Sequence, residues 1–251
     1  MARTVAAIHR HPVKALGAEA LGRAALAPGR TMPGDRVWAL AHEGSAFDPR
    51  NPAWTRCTAF LRGATWPALM AVASTGAPGG PITFRHPSAA PVTVDPATPA
   101  GEAALLAWAA ALLPPGAPRP VRLAAAPGRG MTDSPEATVS LLFDASLAAL
   151  SGHAGRALDR RRFRGNFWIE GGRPWDEFEL VGRRFRLGGA LLEATDRIER
   201  CSATSADPET GRRDIDLPGL LQRVCGHRDF GIEAMVLEGG EVFLGDPLAP
   251  A

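Results

Sequence analysis

Tyrosine is absent from the 251-residue sequence, and lysine occurs once, as Lys14, among 28 basic residues. A GC-rich coding bias replaces lysine by arginine and depletes tyrosine throughout a chain. It does not account for the position of the surviving lysine, in HPVKALG. Cysteine is scarce too. Cys57, Cys201 and Cys225 are an odd number without CxxC spacing, which excludes a disulfide framework and a zinc knuckle. No long apolar run exists. AALLAWAAALL at 103–113 is about half of what a bilayer-spanning helix needs, and MARTVAAIHRHPVK lacks the apolar centre of a signal peptide. The expectation is a cytoplasmic protein that engages no membrane. Net charge is only +2, so no global field draws the chain to nucleic acid. The sequence also lacks HExxH, GxSxG, GxxxxGK[ST] and a dinucleotide fingerprint, and its six histidines are dispersed.

Glycine and proline are abundant instead, at 28 and 23 residues. That excludes a helical bundle and points to short strands joined by turns. TVAAIHRHPV, LGRAALAP and RVWALAHEG read as strands, as do ITFRHP and PVTV after a turn at APGGP. A helix is expected over Gly101–Leu113, stopped by PPG. The linker-like 115–136 stretch places a boundary near residue 120, dividing the chain into 1–120 and 121–251. Beyond it, TVSLLF is a strand, and DASLAALSGHAG is a short helix with Asp144 as N-cap. FRGNFWIEG alternates as a strand. Gly188–Gly189 and Gly239–Gly240 each mark a hairpin. DLPGLLQRVCG is a helix opened by Asp216 with Pro218 in its first turn. The fold class is therefore mostly β with short helices, arranged as an antiparallel barrel or sandwich.

Two segments carry residue types suited to chemistry. Cys201 sits in DRIERCSATSADPETGRRD, between Arg197 and Arg200 on one side and Ser202, Thr204 and Asp207 on the other. Thiolate, which neighbouring cations favour, is the form that binds a soft metal or attacks sulfur. Residues 156–213 hold 13 of the 28 basic residues against 10 acidic ones, a mixed surface with room for one anion pocket. In RFRGN, Arg162 and Arg164 would share one side of an extended chain, as paired forks for an oxyanion. Cys57 and Cys225, next to apolar stretches, read as structural.

In this order and spacing, HPVKALG, GDRVWAL, SLAAL, RFRGNFWIEG, IERCSATSADPETGRRD and FGIEAMVLEGGEVFLGDPL resemble the MOSC family. That family is named for the C-terminal domain of molybdenum cofactor sulfurase. The likeness is to its two-part version, in which an N-terminal β-barrel domain precedes the MOSC domain, as in the mitochondrial amidoxime-reducing component and its bacterial relatives. The resemblance implies a barrel-like MOSC domain over 121–251 and a smaller β-barrel domain over 1–120. It implies that molybdenum cofactor (molybdopterin) binds, with Cys201 as the metal's thiolate ligand. Lys14, Arg36 and Arg164 would grip the pterin phosphate, with Ser146, Asn166 and Thr204 as further cofactor contacts. The chain departs from many relatives at Ala15, Glu199 and Gly165. The implied activity is oxidoreduction: a small N-hydroxylated or N-oxide substrate is reduced with electrons from a separate donor protein. Two other readings use the same residues: a sulfur carrier with a Cys201 persulfide, and a non-catalytic cofactor-binding module.

Overall fold

Short Val-, Ile- and Ala-rich segments with alternating burial make strands of much of this chain. The computed structural model describes residues 2–76 and 79–251. The first part contains β1 (Thr4–Arg10), β2 (Glu19–Leu21), β3 (Arg23–Leu26), β4 (Ala39–His42), β5 (Ala73–Gly76), β6 (Ile82–His86) and β7 (Ala89–Val94). Helix α1 (Pro99–Ala110) and β8 (Pro120–Ala124) follow. The rest is β9 (Val139–Phe143), α2 (Asp144–Ala154), β10 (Phe167–Glu170), β11 (Arg184–Leu187), β12 (Ala190–Glu199), α3 (Leu217–Cys225), β13 (Asp229–Glu238), β14 (Gly240–Phe243) and β15 (Leu248–Pro250). The fold is mostly β, as the sequence indicates. Of the turn expected at APGGP, Ala77 and Pro78 lie outside the described residues.

Eight strands form one mixed sheet in the order β15-β11-β12-β13-β9-β10-β1-β2, parallel only between β9 and β10. That parallel pair is joined through α2. Of the expected antiparallel barrel or sandwich, no closed barrel is found among the described residues: the sheet is mixed, and no continuous ladder links its two ends. The sheet does curl. An isolated bridge joins Thr4 to Pro247, and Leu248 N donates to Arg3 O at 2.9 Å. One face buries Val5, Ile8, Leu141, Phe143, Phe167, Phe185 and Ile232. On the other face α2 and α3 cover Leu142, Trp168 and Phe230. The strand pairing crosses residue 120: β1 pairs with β10, and β3 with β14. A separate core of Leu40, Leu69, Phe84, Leu105 and Leu123 joins α1 to the segments around β4–β8.

Local features divide. Asp216 accepts from Gly219 N at 3.0 Å and Pro218 occupies the first turn of α3, as expected. The β11–β12 hairpin turns at Gly188–Gly189, also as expected. Helix α1 starts two residues before the expected Gly101, because Thr98 caps it and Pro99 fits its first position, and it ends at Ala110, three before the expected Leu113. Asp144 is not an N-cap. Strand β9 runs straight into α2, so Phe143 takes the cap position and Asp144 pairs with Arg160 at 2.8 Å. Gly239–Gly240 is not a hairpin between β13 and β14. Strand β14 pairs with β3, and Gly239 lies so close to the Leu26 carbonyl that a side chain would not fit. The strand expected from Phe163 starts only at Phe167, because Asp159 caps a 3-10 turn over Arg160–Phe163 and Arg164 is left-handed. No helix among the described residues is long and apolar enough to cross a membrane.

Candidate functional site

A cleft of about 360 Å³ opens where the turn after β1, the segment around Arg62–Met70 and the end of β12 meet. Lys14, Arg36, Arg164, Asn166, Cys201 and Thr204 all line it, although they lie up to 190 positions apart in sequence. Ser146 does not. It sits buried in α2, accepting from Trp175 N at 2.8 Å and donating to Glu177 at 2.7 Å. Its hydroxyl anchors the start of α2. Glu177 is sealed there, and burial pushes its carboxyl up to about 7.

Backbone geometry concentrates at this cleft. Four non-glycine residues among those described have positive φ, and Ala15, Arg36 and Arg164 line the cleft. Such conformations cost on the order of 1 kcal/mol each and persist where surrounding contacts impose them. The contacts are identifiable. Lys14 N donates to Trp38 O at 2.7 Å, Leu16 N to Val13 O at 3.0 Å and Arg36 N to His11 O at 2.6 Å. Gly165 is fixed by packing, since any Cβ there would collide with Leu142.

The cations have unequal partners. Lys14 is only 5% exposed; its Nζ donates to Met131 O at 2.8 Å and to Asp133 at 2.7 Å. Burial lowers its pKa and Asp133 opposes the change. Arg36 pairs with Asp35 and donates to Arg164 O at 2.8 Å. Burial works to raise the Asp35 carboxyl, but Arg36 and His11 overcome it and hold the group below the carboxylate range. Arg164 reaches only carbonyls: Gly17 O at 3.2 Å, Leu16 O at 3.3 Å and Val13 O at 3.4 Å. Arg200 likewise donates to Phe163 O at 2.9 Å and Phe230 O at 2.7 Å. Burial pushes both guanidinium pKa values down, and Arg36 adds to the effect at each. Both groups stay charged, because guanidinium does not deprotonate in proteins. Two cations without a carboxylate partner thus face one cleft.

Arg162 takes another path. It is almost fully buried and donates to both oxygens of Asp214 at 2.8 Å, so it does not form the expected fork pair with Arg164. The 3-10 turn and the left-handed Arg164 separate the two side chains. Asn166 accepts from Ser140 N and Oγ at 3.1 Å and donates to His9 O at 3.2 Å. It ties β9 to β1 at the cleft wall. Cys201 is exposed at the end of β12, where a 3-10 turn over Ser202–Ser205 begins. Thr204 Oγ1 donates to Cys201 O at 2.9 Å and Ser202 Oγ to Ala64 O at 3.2 Å, which fixes this turn.

Sequence reasoning missed several lining residues. Arg200 was visible only as a neighbour of Cys201. Arg62, Cys57 and Asp133 lie in stretches with little strand or helix, where no periodicity marks a face. Cys57, read as structural, lines this cleft together with Cys201. Among the described residues no group of three or more His, Cys, Asp or Glu converges on a metal-sized site.

Residues 128–249 match the family model for the MOSC domain. Among solved structures, the chain is similar to YiiM from Geobacillus stearothermophilus at 19% identity and TM-score 0.36. That match covers 45% of this chain and 53% of the other, about half its length. It is also similar to APC1665, the YUAD protein from Bacillus subtilis, at 13% identity and TM-score 0.46, covering 99% of this chain and 94% of the other. No curated protein matches the sequence.

Proposed function

From a MOSC domain at residues 128–249, a type associated with molybdenum cofactor binding, we propose that the cleft holds that cofactor and that the chain is an oxidoreductase. Its substrates are small N-hydroxylated or N-oxide compounds. The observation that supports this most is one cleft combining an exposed thiol with cations that lack carboxylate partners. A thiolate suits a thiophilic metal, and buried guanidiniums suit a phosphate. The residues present therefore fit the group.

Cys201 would ligate molybdenum, and Lys14, Arg36 and Arg164 would hold the phosphate, with Asn166 and Thr204 keeping the cleft walls in register. When bound, the cofactor supplies a two-electron redox centre. The protein's own part is to hold and position the cofactor. Arg200 fixes the strand end that carries Cys201 through its bonds to Phe163 O and Phe230 O. Glu233, which accepts from Thr138 Oγ1 at 3.3 Å, adds a carboxylate to the cleft lining. Electrons would come from a separate donor protein. The proposed setting is the cytoplasm.

The persulfide reading has one observation of its own: Cys57 lines the same cleft as Cys201. Metal and pterin analysis of protein from a cofactor-producing host separates the readings. Wild type is expected to carry molybdenum and pterin, and Cys201→Ala to lose molybdenum. Wild type without either overturns the proposal. Cyanide-releasable sulfur on Cys201, lost in Cys201→Ser, would favour the sulfur carrier. Cofactor without turnover under any reductant would favour the binding module.

A further inference from the structure

Six cations line the cleft, and five have identified tasks. Lys14, Arg36, Arg162, Arg164 and Arg200 each donate to a carboxylate or to backbone carbonyls. The sixth is Arg62. Its guanidinium makes no hydrogen bond or ion pair among the described residues, yet the residue is half-buried and lines the cleft. We infer that Arg62 determines specificity by recruiting anionic substrates, small molecules with a carboxylate remote from the nitrogen–oxygen bond that reacts. The chemistry of that bond rests on the function proposed above; the anion preference does not.

Position separates Arg62 from the phosphate cluster. Phe60 and Leu61 before it are buried; Phe60 bridges Ala41, and Leu61 N donates to Leu40 O at 2.9 Å. After it the chain turns back, with Trp66 N and Thr65 N donating to Arg62 O at 2.8 and 3.1 Å. Gly63 is pressed against Met70, where a side chain would collide. The Arg62 backbone is thus held from both sides, which lowers the ordering cost of presenting its charge. Two residues on, the Ala64 carbonyl accepts from Ser202 Oγ and from Arg213. This clamps the Arg62 turn to the turn that begins at Cys201. The Arg62 turn therefore lies beside the Cys201 end of the cleft that both residues line. Lys14, Arg36 and Arg164 gather instead around the turn after β1 and the Asp35–Arg36 corner.

A partly desolvated guanidinium without an internal partner binds carboxylate in bidentate fashion and rejects nothing in its own protein to do so. A neutral analogue forgoes that contact and leaves the charge as it was.

The test titrates benzamidoxime and 4-carboxybenzamidoxime calorimetrically into the as-isolated protein, Arg62→Gln and Arg62→Lys. Wild type is expected to bind the carboxylate probe about tenfold or more tightly than the neutral one, equivalent to about 1.4 kcal/mol. Arg62→Gln brings the ratio close to one with the neutral affinity unchanged, and Arg62→Lys keeps part of it. Each variant retains the thermal shift that inorganic phosphate gives wild type. An equal ratio in wild type and Arg62→Gln overturns the inference, as does failure of wild type to bind either probe. Loss of the phosphate shift in Arg62→Gln also overturns it, by assigning Arg62 to the phosphate. A protein free of molybdenum that still shows the ratio and its loss supports Arg62 while the oxidoreductase reading fails.

Discussion

Replacing Arg164 by methionine should stabilise the ligand-free protein while removing its response to phosphate. Arg164 is a cation held by three long bonds to carbonyls, with Arg36 repelling it; Asp35 and Asp133 offset part of the burial, but neither bonds to it. An uncompensated charge sealed in a protein costs several kcal/mol. The cleft leaves one side of this guanidinium accessible, so we set the cost at about 1–2 kcal/mol, allowing for solvent screening. Methionine fills similar space without charge. Little is lost in exchange, because Val13 O already accepts from Leu16 N and the bonds from Arg164 are 3.2–3.4 Å long. For a chain of this size, 1–2 kcal/mol corresponds to a rise in Tm of about 2–8 °C.

The same site gives the opposite sign with ligand. A phosphate that binds only the folded state at ten times its Kd adds about 1.4 kcal/mol to wild type. Thermal unfolding with and without inorganic phosphate, at matched ionic strength, measures both effects. Arg164→Met should start higher and not move. A variant of lower Tm would show that the carbonyl bonds outweigh the charge burial. An undiminished phosphate shift would remove Arg164 from the site. Either result refutes the reasoning.

Two further outcomes follow from ionisable groups held away from their ordinary pKa values, the exposed Asp214 and the buried His11. Asp214 is held at about 2, first by its bonds from Arg162 and then by those from Arg156, against an ordinary 3.8. Its stabilisation is complete above pH 4 and lost as pH falls through 2. Asp214→Asn should therefore cost about 1 kcal/mol at pH 7 by denaturant unfolding, allowing for solvent screening of this exposed residue, with the difference from wild type fading at low pH. His11 is pushed down to about 3, mainly by burial and then by Arg164, although Asp35 opposes it. Below pH 6.5 the unfolded chain takes up a proton that the folded one refuses. Stability should fall by up to about 1.4 kcal/mol per pH unit between 6.5 and 3, and His11→Gln should flatten that slope.

The legible parts of this fold are those set by nearest neighbours. Asp216 with Pro218, the Gly188–Gly189 hairpin and the mostly β class follow from capping, turn preference and composition. The illegible parts depend on contacts distant in sequence. Gly239–Gly240 has the composition of a hairpin, yet β14 turns away to β3, more than 200 positions earlier. Arg162 and Arg164 have the spacing of strand neighbours, but the Asp159 cap and Asp214 determine where their side chains go. The cleft shows the same division. Lys14, Arg36, Arg164 and Cys201 were suggested by motif, and the structure brings them to one place. Ser146 came from the same resemblance, and the structure uses it against Glu177 instead. Arg62 and Cys57 have no local signature, because they lie where the chain makes short 3-10 turns and irregular loops.

A net charge of +2 over the whole chain conceals an imbalance inside the cleft, where six cations face Asp133, Glu199 and Glu233. Folding alone would favour more carboxylates there, as it does at Arg162, whose charge Asp214 and Asp207 neutralise. Arg164 and Arg200 have only carbonyls, and the turns that present Lys14, Arg36 and Arg164 hold backbone in the left-handed region. At Arg164 a charge without a bonded carboxylate and a strained φ coincide; both oppose stability, and neither is needed to build the sheet. The β1–β10 pairing and the Asn166 bonds to Ser140 and His9 supply the rigidity that keeps them in place. Such a combination is expected of a site whose energy is completed by an anion from outside the chain.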